Sequence, residues 1–282
     1  VQSRVIRERL MREAEGNIAL RVTPSESETD AFEVAGRGEL QLGILIETMR
    51  REGFELTVGR PRVVFRTDEA TGEKLEPVEE VIIEEFSGVV VQKLSERKGE
   101  LRDMRPSGTG RQRLVFHAPT RGLIGYQSEL LSDTRGTAIM NRLFHAYAPH
   151  MGEIPTRHTG ALISNGEGEA VAYAIFYLQD RGPMFIDPGT KVYAGMIVGE
   201  HTRGNDLELN VLKEKKLSNV RASGKDEAMI LTPPIRMSLE KALAYIGEDE
   251  YVEVTPKSIR LRKAILDPHE RKRVSRAKEA AA

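Results

Sequence analysis

Hydrophobic and polar positions alternate with two different periods in the first quarter of the chain. Short runs typical of β-strands lie at residues 18–23, 32–35, 55–58 and 62–66. Between the second and third runs, apolar residues recur at spacings of three and four: Leu42, Leu45, Ile46 and Met49. This spacing predicts a helix over about residues 38–52 with one buried stripe, and Gly53 is a typical helix stop.

The next segment shows the same mixture of periods and gives a complete order of elements. The predicted strands are residues 78–86, 100–105, 111–118 and 137–146. Predicted helices at residues 88–98 and 123–131 separate them, so the order is β-α-β-β-α-β, which is the ferredoxin-like arrangement. The first segment gives this order too if an opening strand precedes Val1. We therefore predict an α+β protein that begins with two consecutive ferredoxin-like βαββαβ sandwiches.

The remaining residues are rich in short β runs and predict a mostly β domain. Asn165-Gly166 lies between apolar runs and predicts a hairpin turn. A single helix is predicted from Ser238 to Ile246, with Ser238 as its N-cap. Residues 202–227 are polar with little periodicity, which predicts a long loop that is poorly ordered without RNA, most clearly over residues 204–226. The predicted domain boundaries are 1–72, 73–149 and 150–282.

Length and composition narrow the class of protein. A chain of 282 residues with 30% charged residues fits two or three soluble domains. The sequence contains no Cys, no export signal and no apolar stretch of bilayer length, so we expect a cytoplasmic protein without disulfides. Because residue 1 is Val and the opening residues resemble the middle of a helix, we expect a piece of a longer protein.

Signals for catalysis are weak throughout the sequence. There is no phosphate-binding loop motif, and Gly36 and Gly38 are better explained by a tight turn between a strand and a helix. Three histidines, His145, His150 and His158, match no zinc spacing. The carboxylates of residues 79–85 straddle a strand instead of flanking a pocket. We predict no catalytic residue, bound cofactor or metal in this chain.

The strongest positive signal is basic charge near the end of the chain. Residues 257–278 carry nine Lys and Arg residues against two acidic residues, although the net charge of the whole chain is −1. Alternation along a strand would bury Ile259 and Leu261 and place Arg260 and Arg262 together in solvent. The candidate RNA-binding residues are Lys213, Lys215, Lys216, Arg221, Lys225, Arg260, Arg262, Lys263, Arg271, Lys272 and Arg273. The alternative is a solvated strand edge and tail.

Several segments resemble domains of elongation-factor-G-like GTPases. FEVAGRGELQL at residues 32–42 and VGRPRV at residues 58–63 resemble the third domain of that family. RGLIGY at residues 121–126 and LLSDTRG at residues 130–136 resemble its fifth domain. No fourth domain fits between them. The later segments look like the carboxy-terminal domain specific to BipA/TypA translational GTPases: GALISNG, LQDRG, VRASG and PPIRM.

This resemblance implies a cytoplasmic, ribosome-associated factor that supports large-subunit assembly, translation regulation and stress adaptation. Its partners would be the bacterial ribosome, through rRNA and ribosomal proteins near the factor-binding site, and the A-site tRNA. By the same resemblance, KKLSNVRASG at residues 215–224 would approach the acceptor end of tRNA. GTP and Mg²⁺ would bind to an amino-terminal domain outside this sequence, and we expect a monomer without membrane contact.

Two other classes of function stay open at the level of the sequence. A stand-alone RNA-binding adaptor would use the same basic residues but would have no GTP-binding domain upstream in its reading frame. An enzyme with an unrecognised site would require a concave pocket in which several titratable groups converge.

Overall fold

A computed structural model describes residues 3–26, 28–85, 88–108, 110–154, 157–214 and 229–281. The chain divides into two compact units, and the second takes a short insert from the first part of the sequence. The first unit comprises Val1–Phe54 and Pro61–Thr156, and the second comprises Glu55–Arg60 and Arg157–Ala282. The mixed α+β class is confirmed. No helix in the described part of the chain is long and apolar enough to cross a membrane.

The amino-terminal segment of the first unit contains two helices and a two-stranded antiparallel sheet. Its elements are α1 (Ser3–Gly16), β1 (Arg21–Pro24), β2 (Phe32–Ala35) and α2 (Glu39–Arg51). Helix α2 buries Leu45 and Met49 of the predicted stripe. It ends as expected at Gly53, whose φ is +96°, and the Phe54 N–H donates to the Met49 carbonyl over 3.0 Å.

Two sequence predictions for this segment require correction. The described residues form a two-stranded sheet here, where a four-stranded sandwich was expected. Strand β3 (Leu56–Val58) pairs instead within the second unit, and of the strand predicted over residues 62–66 only the end is extended, as β4 (Arg66–Thr67). A pairing partner far along the chain decides the outcome for β3, and local periodicity carries no information about it, whereas β4 pairs locally with Lys74 and Leu75.

The rest of the first unit confirms the predicted ferredoxin-like arrangement. Its elements are β5 (Lys74–Glu85), α3 (Val89–Glu96), β6 (Glu100–Ser107), β7 (Arg111–Pro119), α4 (Tyr126–Asp133) and β8 (Ile139–Pro149). The antiparallel strands lie in the order β8-β5-β7-β6, so the first strand is central and the last is its neighbour. Val81, Ile83 and Phe116 of the central strands pack against Leu94 of α3 and Leu130 of α4 to form the core.

A buried carboxylate holds the end of the first unit in place. Glu76 on β5 is fully buried, forms an ion pair with Arg121, and accepts the Met151 N–H over 2.7 Å. Arg121 also donates to the Gly152 carbonyl. Burial alone would raise the pKa of Glu76, but these hydrogen bonds outweigh it and lower that pKa. Arg121 of the RGLIGY segment thus fixes the residues that follow β8.

The second unit is built on a six-stranded sheet in the order β13-β9-β12-β15-β14-β3. Its strands include β9 (Gly160–Ser164), β12 (Met196–His201), β13 (Leu207–Leu209), β14 (Glu250–Val254) and β15 (Ile259–Lys263). Strand β13 is parallel to β9, and the other pairings are antiparallel. Leu162, Met196 and Val198 belong to its core, together with Ile175 from helix α5 (Ala172–Leu178).

The hairpin predicted at Asn165-Gly166 is wrong. Strand β9 pairs with β12 and β13, whereas β10 (Gly168–Glu169) pairs with β11 (Lys191–Val192). The two residues join strands of different sheets. The helix predicted near Ser238 is confirmed as α6 (Leu239–Tyr245), and the Ser238 hydroxyl accepts the Lys241 N–H over 3.3 Å.

Candidate nucleic-acid interface

The predicted pair of strand arginines lies on one face of the β14–β15 hairpin. Arg260 opposes Glu253 and Arg262 opposes Tyr251, which puts the two guanidinium groups on the same side. Both pair with the Glu253 carboxylate, at 3.3 Å for Arg260 and 3.0 Å for Arg262. Both side chains are half-buried, so the expectation that they stand in solvent is corrected. Leu261 is buried as predicted.

Lys263, the third basic candidate on β15, is buried. Its side chain is 3% exposed, and Nζ lies 2.5 Å from Asp206, 2.8 Å from Glu250 and 3.1 Å from Asp249. Burial works against the charge of Lys263, but the surrounding carboxylates outweigh it and raise its pKa. An ammonium group that is buried and shared among three carboxylates is not available to phosphate.

Arg157 also holds the Glu250 carboxylate. Its guanidinium donates to both Glu250 oxygens, over 2.9 and 3.0 Å, and Nε donates to the Thr159 carbonyl over 2.7 Å. The Gly247 N–H also donates to Glu250 over 2.8 Å. Burial would raise the pKa of Glu250, but the hydrogen bonds from Arg157 and the charge of Lys263 lower it. Asp206 and Asp249 lie at the solvent-exposed edge of this group. We name Arg157, Asp206, Asp249, Glu250 and Lys263 the buried ion cluster.

The basic tail forms a helix that the sequence prediction missed. Helix α7 (Pro268–Ala281) begins with a recognisable signal: the Asp267 carboxylate accepts the Glu270 N–H over 2.8 Å, and Pro268 occupies the first helical position. Arg271 anchors this helix. It pairs with Glu208 over 3.1 Å and donates to the Ile265 and Leu266 carbonyls over 2.8 and 2.6 Å.

Beyond this anchor, α7 presents three described cations to solvent. Lys272, Arg273 and Arg276 are exposed, and Lys272 and Arg276 are four residues apart, so they lie on one face of the helix. Arg273 pairs with Glu270 at 3.4 Å, but their side chains are 79% and 52% exposed. Exposed pairs of this kind are weak. The accessible positive charge of the described second unit is therefore concentrated on the helix more than on strand β15.

The predicted basic loop is described only at its start. Lys213 is exposed, whereas Lys215, Lys216, Arg221 and Lys225 lie outside the described residues. The prediction of a poorly ordered loop is wrong for its first part, because β13 pairs with β9 and Leu209 and Val211 are buried in the core. Residues 215–228 lie outside the described residues, so the prediction for them stays a prediction.

The described residues offer no grouping of His, Asp and Glu that could hold a metal ion. Two of the three singled-out histidines contact other rings: His145 stacks on His117 at 3.9 Å, and His150 lies 5.7 Å from Phe65. Burial lowers the pKa of His117, and the neighbouring His145 and Arg102 lower it further. Glu79, one of the clustered carboxylates, pairs with Arg142 over 2.7 Å.

Comparison with known proteins matches two consecutive families along the chain. A model described as the elongation factor G C-terminus matches residues 73–158, and one described as the TypA/BipA C-terminal domain matches residues 159–268. A protein named large ribosomal subunit assembly factor BipA from Escherichia coli (strain K12) is 53% identical over 98% of this chain and 46% of its own length.

Two further relatives carry the same name. The protein from Salmonella typhimurium is 53% identical over 99% of this chain, and the protein from Bacillus subtilis (strain 168) is 49% identical over 100%. In both cases the match covers 46% of the relative. The chain thus spans a little under half the length of the relatives that it matches.

Proposed function

The chain belongs to the TypA/BipA family, and from this membership we propose that it forms the ribosome- and RNA-binding part of a translational GTPase. The observation that carries the proposal is the 53% identity to a large ribosomal subunit assembly factor over 98% of the chain. The whole protein would act in large-subunit assembly, translation regulation and stress adaptation. GTP and Mg²⁺ would bind outside this chain, whose sequence has no phosphate-binding loop motif.

The proposed partners follow from the same family. They are rRNA and ribosomal proteins near the factor-binding site of the bacterial ribosome, and the A-site tRNA. We propose that the protein acts as a monomer in the cytoplasm. For this chain the chemistry of recognition is attraction between exposed cations and phosphate, because net charge near zero leaves local patches to provide the affinity.

The side-chain environments rank the candidate residues. Lys213, Lys272, Arg273 and Arg276 are exposed, which supports direct contact with phosphate. Arg260 and Arg262 would contribute less, because Glu253 already offsets part of their charge. Arg271 would act through the position of α7, since its guanidinium is engaged at the base of that helix. The proposal also retains Lys215, Lys216, Arg221 and Lys225, which lie outside the described residues.

The test is sedimentation of the chain with ribosomal subunits and intact ribosomes at two or more salt concentrations. The variant Lys272→Ala/Arg273→Ala/Arg276→Ala should bind more weakly. Its log–log salt slope should be shallower by roughly 0.7–0.9 per lost phosphate contact, because each contact releases condensed counterions.

The matched control removes three exposed arginines from α1, in Arg4→Ala/Arg7→Ala/Arg12→Ala. This α1 variant changes the total charge by the same amount as the α7 variant. If α7 has a specific role, the α1 variant should weaken ribosome binding less than the α7 variant does. Circular dichroism verifies that both variants are folded. If the α7 variant is folded and binds with the parental affinity and salt slope, the assignment of these residues is wrong.

A further inference from the structure

A cation lies directly on an aromatic ring at one corner of the sheet in the first unit. The guanidinium carbon of Arg66 is 4.0 Å from the centroid of the Tyr147 ring. In the register of the sheet Arg66 opposes Leu75, and Leu75 opposes Pro149, two residues beyond Tyr147. The contact is therefore a diagonal one across three strands, which fixes the guanidinium on the ring.

Phe144 extends this aromatic surface along β8. Its ring centroid lies 5.6 Å from that of Tyr147 at an interplanar angle of 57°, and the residue is 63% exposed. Strand β8 pairs with β5 alone within the described part of the chain, so it forms an edge of the sheet. A phenylalanine exposed to this extent on a strand edge adds little to the core and leaves most of its surface in contact with water.

The charge of Arg66 is also uncommitted. Arg66 is exposed and forms no ion pair with any residue that the structure describes. A guanidinium that lies over one ring and is exposed to solvent can also stack on a second planar π-system. Two aromatic rings and a free cation are the groups with which proteins hold unpaired nucleobases and their phosphates.

We propose that Phe144, Tyr147 and Arg66 form a stacking site for an unpaired base of single-stranded RNA. Single-stranded RNA fits better than a duplex, because the bases of an A-form helix are stacked on one another and cannot reach these rings. The site would recognise unpaired nucleotides, whereas the cations of α7 respond to phosphate in any RNA. The choice of RNA as the ligand rests on the proposed function, but the residues and their contacts are independent of α7.

The test is fluorescence anisotropy of the whole chain with two labelled RNA hexamers. One is hexauridine, and the other has the same phosphates and riboses but abasic central positions. The parent protein should prefer hexauridine. Phe144→Ala and Tyr147→Ala should each weaken its binding by roughly 5- to 150-fold, the range expected for loss of one base–ring stack. The salt slope should stay the same, because these rings carry no charge.

Arg66→Ala should weaken binding of hexauridine and also make the salt slope shallower, because it removes a charge as well as a plane. Lys74→Ala is the charge control: its ammonium lies 3.7 Å from the Phe65 ring, next to but not on the Tyr147 contact. Tyr177→Ala is the aromatic control, since Tyr177 is 59% exposed in the second unit. Neither control should alter the preference for hexauridine over the abasic hexamer.

The proposal is overturned if the parent binds both hexamers equally. It is also overturned if folded Phe144→Ala and Tyr147→Ala variants retain the parental preference; the patch would then be assigned to a protein partner. The hexamer test is independent of the sedimentation test. If the α7 variant binds ribosomes like the parent, the proposed function loses its support, but the stacking site can still be tested, because the two hexamers carry the same phosphates and differ only in their central bases.

Discussion

Lys263→Met removes a cation from the buried ion cluster of the second unit. The side chain is 3% exposed and pairs with Glu250, which is fully buried, and with Asp206 and Asp249, which are 38% and 64% exposed. Loss of one partner from a buried ion pair costs about 3–5 kcal/mol, because the remaining charge stays buried without compensation. Arg157 still holds Glu250 by two hydrogen bonds, so we expect the lower end of this range, a loss of about 3 kcal/mol in the free energy of unfolding.

The matched control is Arg273→Met, which removes an arginine from the exposed pair with Glu270. Its cost should be at most about 0.5 kcal/mol, because solvent screens an exposed pair. Urea unfolding followed by circular dichroism gives the free energies. Since the chain has two units, hydrogen exchange of peptides that contain β14 and β15 is needed to assign the loss to the second unit.

The dependence on pH provides an independent check. The folded state lowers the pKa of Glu250 from the ordinary 4.5. Its contribution to the free energy of unfolding is therefore present above pH 4.5 and is lost as pH falls through the folded-state pKa. The folded state raises the pKa of Lys263 from the ordinary 10.5. Its contribution to the free energy of unfolding is therefore complete below pH 10.5 and is lost as pH rises through the folded-state pKa. The loss of unfolding free energy caused by Lys263→Met should therefore be largest between pH 4.5 and pH 10.5 and smaller outside this range. A neutral-pH penalty no larger than that of Arg273→Met would refute the reasoning.

Three further predictions concern backbone geometry, helix capping and nucleotide binding. Gly182→Ala should cost more than about 2 kcal/mol in thermal unfolding, because φ is +149° and the added Cβ would lie 1.9 Å from the Glu200 carbonyl oxygen. Gly189→Ala, at φ +82° with open space around it, should cost only about 1 kcal/mol; equal costs would contradict the steric explanation. Ser238→Ala should cost about 1 kcal/mol through loss of the N-cap bond to Lys241, and Ser238→Asp should restore it. Calorimetry of the chain with GTP should give no binding heat, because the sequence has no phosphate-binding loop motif. A saturable heat signal would contradict this prediction.

The ferredoxin-like part of the first unit could be predicted because its signals are local. Each helix lies between a strand and a glycine-containing turn, and neighbouring elements in the sequence are also neighbours in space or separated by one strand. Gly99 illustrates this: its N–H donates to the Leu94 carbonyl over 2.7 Å, which ends α3 where the sequence placed the stop. The predicted limits of β5 are four residues short at its start, because pairing with β8 and β4 extends it to Lys74.

The second unit was predicted less completely because its sheet joins distant residues. Nothing near Asn165 indicates that β9 pairs with β12 and β13 instead of the next strand. The buried ion cluster was missed although alternation contained a signal for it. Glu250 and Lys263 oppose each other on the face that buries Val252 and Leu261, so both strands place a charged residue at an inward position. Residues of opposite charge at inward positions of two neighbouring predicted strands thus indicate a buried ion pair.

Strand β3 makes the second unit depend on residues that are synthesised long before the rest of it. Leu56–Val58 pairs with residues 252–254, roughly 195 positions later, and a loop of that length must close before the edge of β14 is covered. Until then, the backbone groups of both strands are open to pairing with other chains. A second unit produced from residue 157 onwards would retain this open edge and would tend to self-associate. A peptide of residues 55–60 supplied in trans should occupy the edge and keep that unit monomeric.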